Sequence, residues 1–173
     1  PGGDWSGPLQ IVKLAEEYRQ AYAGFHMQMD VASDGALHAI IDFYEGEDEA
    51  GRGLHQATCY TRSRDGGRSW ERADGTPVRL PARPEDLDIL ARSTRSRHEK
   101  LPPAEIRQGG LVVDSKGRPF AFYFDHGKAP GYCVMATAGV DGPLRQVPVN
   151  DHWERLYSDM RATECKTSLR QDD

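Results

Sequence analysis

Cysteine is scarce. Cys59, Cys133 and Cys165 are the only three in 173 residues, an odd number without C-x-x-C spacing, which excludes a disulfide framework and a cysteine zinc site. Thiols of this kind are expected to be free and buried. No apolar run approaches the roughly 18 residues that a membrane helix needs, so no membrane partner is expected. The opening Pro1-Gly2-Gly3-Asp4-Trp5 does not read as a signal peptide. Positive charge is not in excess either: 22 basic against 27 acidic residues leave a net charge of −5, which argues against nucleic acid as a partner. The chain has no H-x-x-x-H or H-E-x-x-H spacing, no serine-centred G-x-S-x-G and no phosphate-cradling glycine loop. Neither a catalytic metal nor a cofactor is expected.

What the chain does have is repetition. Val31-Ala32-Ser33-Asp34-Gly35-Ala36-Leu37-His38, followed by Ala39-Ile40-Ile41-Asp42-Phe43-Tyr44, returns 82 positions later as Val113-Asp114-Ser115-Lys116-Gly117-Arg118-Pro119-Phe120 and Ala121-Phe122-Tyr123-Phe124. Each copy reads as strand, tight turn and strand, because short β-rich runs flank turn residues that tolerate positive φ. A third strand is expected at 56–62 and again at 132–137. Prolines lead short apolar segments at Pro8, Pro77 and Pro143. Proline removes a ladder donor, so these segments are expected on outer edges.

Four antiparallel strands repeated in series define a β-propeller, in which radial repetition leaves only short edges exposed. The expected fold is therefore all-β, a β-propeller with about two four-stranded blades in one partial domain. The first blade takes residues 25–81 and the second 107–149. Residues 5–12 are expected as the outer strand of a preceding blade, and 82–106 as an inter-blade insertion with a short helix after Pro84. Residues 150–173 form a tail or the start of a further blade. Two blades cannot close a ring.

The sharpest motif is Ser63-Arg64-Asp65-Gly66-Gly67-Arg68-Ser69-Trp70, which fits the Asp-box pattern S-x-D-x-G-x-[ST]-W. Asp65 can bond the amides of its own turn, Gly67 permits positive φ, Ser63 and Ser69 supply hydroxyls, and Trp70 can pack beneath the turn. The expected role is structural. A structural calcium is not supported, since one carboxylate falls short of the 6 to 8 oxygens the ion prefers.

Taken with Asp74-Gly75-Thr76-Pro77-Val78-Arg79-Leu80-Pro81 and the run from Arg107 to Pro119, the motif resembles the bacterial neuraminidase repeat proteins, in particular the subgroup that includes ulvan lyases. The resemblance covers about residues 5–150. It implies a secreted, extracellular or periplasmic protein acting on an acidic polysaccharide by β-elimination, with the rest of a propeller as a further partner. That reaction takes the C5 proton of a uronate and expels the 4-linked oxygen. It needs a base, an acid and a cation to neutralise the carboxylate.

The repeat places His26 and Gln108 at equivalent entries to the innermost strands. His26 is the candidate base, His55 a charge neutraliser, Tyr123 the acid and Arg107 a bidentate clamp. Gln108, Arg62, Tyr60 and Tyr132 are the candidates for substrate binding. Each also has a plain structural role open to it, as strand, core or surface residue. Two alternatives stand beside the lyase. One is a non-catalytic carbohydrate-binding or scaffold propeller. The other is a sialidase-like hydrolase, which needs three converging arginines for which Arg52, Arg62 and Arg107 are available.

Overall fold

The two repeated turns have the same main-chain pattern. Ala32 N–H bonds Ala36 C=O at 2.9 Å and Gly35 N–H bonds Ala32 C=O at 2.9 Å; the counterparts are Asp114 to Arg118 at 3.0 Å and Gly117 to Asp114 at 2.9 Å. Gly35 and Gly117 take φ of 87° and 75°, which glycine adopts without penalty. Asp34 and Asp114 each cap their turn by accepting the amide two residues on, from Ala36 and Lys116.

The computed structural model describes residues 7–13, 20–46, 53–92, 106–125, 132–139 and 142–148. Its strands are β1 (Gln20–Val31), β2 (Leu37–Gly46), β3 (Gly53–Ser63), β4 (Trp70–Glu71), β5 (Pro77–Val78), β6 (Asp88–Arg92), β7 (Ile106–Val113), β8 (Pro119–Asp125), β9 (Tyr132–Thr137) and β10 (Arg145–Pro148). All strand pairings within the two sheets are antiparallel. The first sheet runs β1-β2-β3-β4-β5, with β6 also on β3. The second runs β7-β8-β9-β10. Each is a propeller blade with its innermost strand first.

Alternation along β2 and β3 divides the core in two, because successive side chains of a strand point to opposite faces. Ile40 and Tyr60 face the second blade and pack with Ile106, Leu111, Ala121, Tyr123 and Ala136. Ala39, Ile41, Phe43, Ala57 and Cys59 face the other way, onto Trp70, Ala82, Leu87 and the N-terminal Ile11 and Val12. Burial on both faces explains why the strand reads as an almost unbroken apolar run. Cys59 is a free, buried thiol, as its scarcity suggested.

The blades are joined by side chains of β1 reading the main chain of β7. Gln28 donates from Nε2 to Gly109 C=O and accepts the Leu111 N–H at Oε1, both at 3.1 Å. Asp30 accepts the Val113 N–H at 2.7 Å.

Two segments differ from expectation. Within the supposed insertion, only Pro84–Asp86 is helical, as one 3-10 turn, and Asp88–Arg92 is strand β6, paired with Ala57–Tyr60 on the outer side of the first blade. Asp86 caps the start of that turn, its carboxylate accepting the Arg83 N–H at 2.9 Å, and the extended backbone of Leu87 ends it. Residues 7–13 are not an outer strand of another blade. They form one parallel bridge, Val12 to Ala82, and Ile11 and Val12 pack on the first blade itself. Pro77 does open the short outer strand β5, whereas Pro143 lies two residues ahead of β10. The tail at 150–173 lies outside the described residues, as do His98, His126 and His152.

Candidate functional site

Both innermost strands bulge against their neighbours. β1 loses register against β2 between Ala23 and Met27, so that Gly24, Phe25 and His26 stand opposite Asp42. β7 does so against β8 between Gln108 and Gly110. Extra residues of this kind re-aim side chains and are frequent beside active sites. The Gln28 to Gly109 bond ties β1, two residues past its bulge, to the bulge of β7. The main chain at His26 and at Gln108 thus lies at the same end of the blades.

The same end carries His55 and Asp42. His55, the third residue of β3, pairs with Tyr44, and its Nδ1 lies 2.5 Å from Asp42 Oδ2. Asp42 is fully buried and the His55 side chain is 7% exposed. Tyr44 meets the imidazole edge-on, with ring centroids 5.0 Å apart. Asp42 pairs across the ladder with Thr58, and Asp42 Oδ1 and Thr58 Oγ1 have no hydrogen-bond partner among the described residues although both are sealed from solvent.

Gln108 pairs with Tyr123 on β8, Arg107 with Phe124, and Tyr132 with Asp125, all at this end. Tyr123 is enclosed between the blades at 1% exposure. Burial, helped by the charge of Asp125, pushes its phenol well above the usual tyrosine range.

Tyr60 and Arg62 are not brought to this group. Tyr60 is fully buried and hydrogen-bonds His38 Nδ1 at 2.7 Å. Arg62 is 3% exposed and its Nε bonds Glu71 Oε1 at 2.6 Å, a carboxylate shared with Arg64. Both point into the structure toward the opposite end of the strands, where the Ser63 to Trp70 turn closes.

That turn is tied at every polar position. Asp65 Oδ1 accepts the amides of Arg68 and Ser69 at 2.9 Å each, and Oδ2 accepts the Ser69 hydroxyl at 2.7 Å. Ser63 Oγ donates to Asp65 Oδ1 at 2.8 Å and accepts the Gly67 N–H. These bonds hold the Asp65 carboxyl far below the ordinary range. Trp70, 2% exposed, donates its indole N–H to Gly67 C=O. No cluster of three metal-ligating side chains occurs among the described residues.

Sequence reasoning missed Asp42 and Glu71. The available signal for Asp42 was a carboxylate in the middle of Ala39-Ile40-Ile41-Asp42-Phe43, since a charge in a strand buried on both faces requires a partner.

Two antiparallel blades, one of six strands and one of four, with their inner strands side by side make the chain part of a β-propeller of sialidase-like type. A family model described as "BNR repeat-containing family member" matches residues 4–142, and the chain belongs to that family. Among solved structures it is similar to an ulvan lyase, described as a new family of polysaccharide lyase, with a TM-score of 0.57 at 12% identity. A second structure, the ulvan lyase bound to -[GlcA(1-4)Rha3S]-, gives a TM-score of 0.56 at 12% identity. In both cases the match covers 83% of this chain and 34% of the lyase, so the chain spans about a third of their length. No curated protein matches the chain.

Proposed function

We propose that this chain is part of a carbohydrate-active propeller that cleaves a uronate-containing polysaccharide by β-elimination. The observation that carries the reading is the meeting of the β1 and β7 bulges with the His55–Asp42 couple at one end of the blades. In the reaction, His26 takes the C5 proton, the C4–O bond breaks as the C4–C5 double bond forms, and Tyr123 protonates the departing oxygen. Its raised pKa keeps the phenol in the protonated state that an acid needs. Arg107 and His55 meet the uronate carboxylate, and Gln108 and Tyr132 line the approach. Further blades complete the ring. The Asp-box turn at the other end serves the fold. A polymeric substrate places the enzyme outside the cytoplasm, extracellular or periplasmic.

A binding propeller without turnover is favoured by one observation, the 1% exposure of Tyr123 as a whole. The hydrolase alternative loses support because Arg62 is held inside the sheet by Glu71.

The deciding experiment incubates the whole protein with uronic acid polymers and follows the ultraviolet absorbance of the unsaturated product. The lyase reading expects product, and expects His26→Ala to lower its rate by about 100-fold or more. Binding of the polymer with no unsaturated product selects the binding module.

A further inference from the structure

We propose that Asp42 is a positioning residue for His55, fixing a proton on Nδ1 so that Nε2 is the nitrogen that meets the ligand. The role rests on the lyase reading, whereas the tautomer does not.

A carboxylate oxygen accepts, and the 2.5 Å contact of Asp42 Oδ2 with His55 Nδ1 is the geometry of an Nδ1–H donating to it. The imidazole is further held by the edge of Tyr44. With its orientation and tautomer set, the ring can act through Nε2 alone, the logic by which a buried acid directs a histidine.

The fold itself does not ask for this pair. Asp42 and Thr58 are a cross-strand pair, and the second blade carries Phe124 and Cys133 at the equivalent rungs of β8 and β9. An apolar pair therefore satisfies the same architecture there. In the first blade the site instead holds a carboxylate with one oxygen unpartnered and a hydroxyl unpartnered, both buried. Such groups cost stability, and a purely structural position would be better filled by hydrocarbon. The couple also stands directly opposite the bulge that contains His26, while the second blade has no histidine on β7, β8 or β9.

Two measurements test the assignment. Nitrogen NMR of the histidine-labelled whole protein should show His55 protonated at Nδ1 throughout the folded pH range. A neutral ring carrying its proton on Nε2 overturns the proposal whether or not the protein turns over any polymer. In Asp42→Asn the carboxamide can either donate to or accept from Nδ1, so the Nε2-protonated form should become populated. On a uronic acid polymer that variant should lose about tenfold or more in kcat while KM moves less than about threefold, the pattern of a group working in the transition state. Thr58→Val alters the other half of the buried pair and should keep wild-type turnover. Wild-type kcat in Asp42→Asn, or an equal loss in Thr58→Val, overturns the positioning role. Should Asp42→Asn fail to fold, the wild-type nitrogen spectrum still decides the tautomer.

Discussion

The carboxamide of Gln28 accepts the main-chain N–H of Leu111 at 3.1 Å across the junction of the two blades. The same group donates to Gly109 C=O, so one side chain occupies the place that a neighbouring strand would take on the free edge of β7. Gln28→Leu should leave both main-chain groups unpaired in a half-buried setting and cost about 1–3 kcal/mol. Urea unfolding of the pair of proteins measures it. A loss indistinguishable from zero means that solvent replaces the clamp.

Trp70 closes the Ser63 to Trp70 turn from below and belongs to the core on that side of the first blade. Trp70→Ala should destabilise by about 3–5 kcal/mol, the scale for deleting a large buried aromatic. Trp70→Phe keeps most of the packing and forfeits only the bond to Gly67, so it should cost about 1 kcal/mol plus the volume difference. Thermal melts of the two variants separate packing from hydrogen bonding.

His38 gives the stability of the fold a pH dependence. Burial first, then the nearby Arg62 charge, lowers its pKa from 6.5 to about 4, so the folded state resists a proton that the unfolded chain takes up readily. Between these values the unfolded state binds more protons, and stability therefore falls as pH drops from 6.5 toward 4. The full contribution of this one residue is about 3 kcal/mol. Unfolding midpoints of the wild type should fall over that window. In His38→Gln the part of the slope due to this residue should disappear.

Tyr123→Phe separates chemistry from packing. Its hydroxyl makes no hydrogen bond among the described residues, so its removal should change stability by less than about 1 kcal/mol. If the phenol supplies the proton to the leaving oxygen, unsaturated product should form about 100-fold more slowly. Unchanged product formation removes Tyr123 from the reaction.

The hairpins were readable from sequence because Asp34-Gly35 and Asp114 to Gly117 are local signals: a capping carboxylate and a glycine at positive φ need no knowledge of the rest of the chain. Tyr132–Thr137 was readable for the same reason, as a short β-rich run between glycines. Strand β6 was not. Pro84-Glu85-Asp86 announces a helix start, and the chain honours it for one turn before Asp88 turns to pair with Tyr60, a partner 28 positions earlier. The candidate site divides along the same line. His26, Gln108 and His55 follow from repeat register and strand order. The burial of Tyr60 against His38 and the capture of Arg62 by Glu71 depend on which face of β3 meets the second blade. Composition and spacing do not carry that information.

The outer margin of the first blade is covered in pieces, with β4 against one half of β3 and β6 against the other, bent apart around Ala73 and the 3-10 turn. A growing β-aggregate recruits molecules by laying a new strand along an uninterrupted row of exposed amides and carbonyls. This rim offers short, differently angled lengths in place of one such row. A protein built this way can be held at high local concentration with little tendency to stack edge to edge.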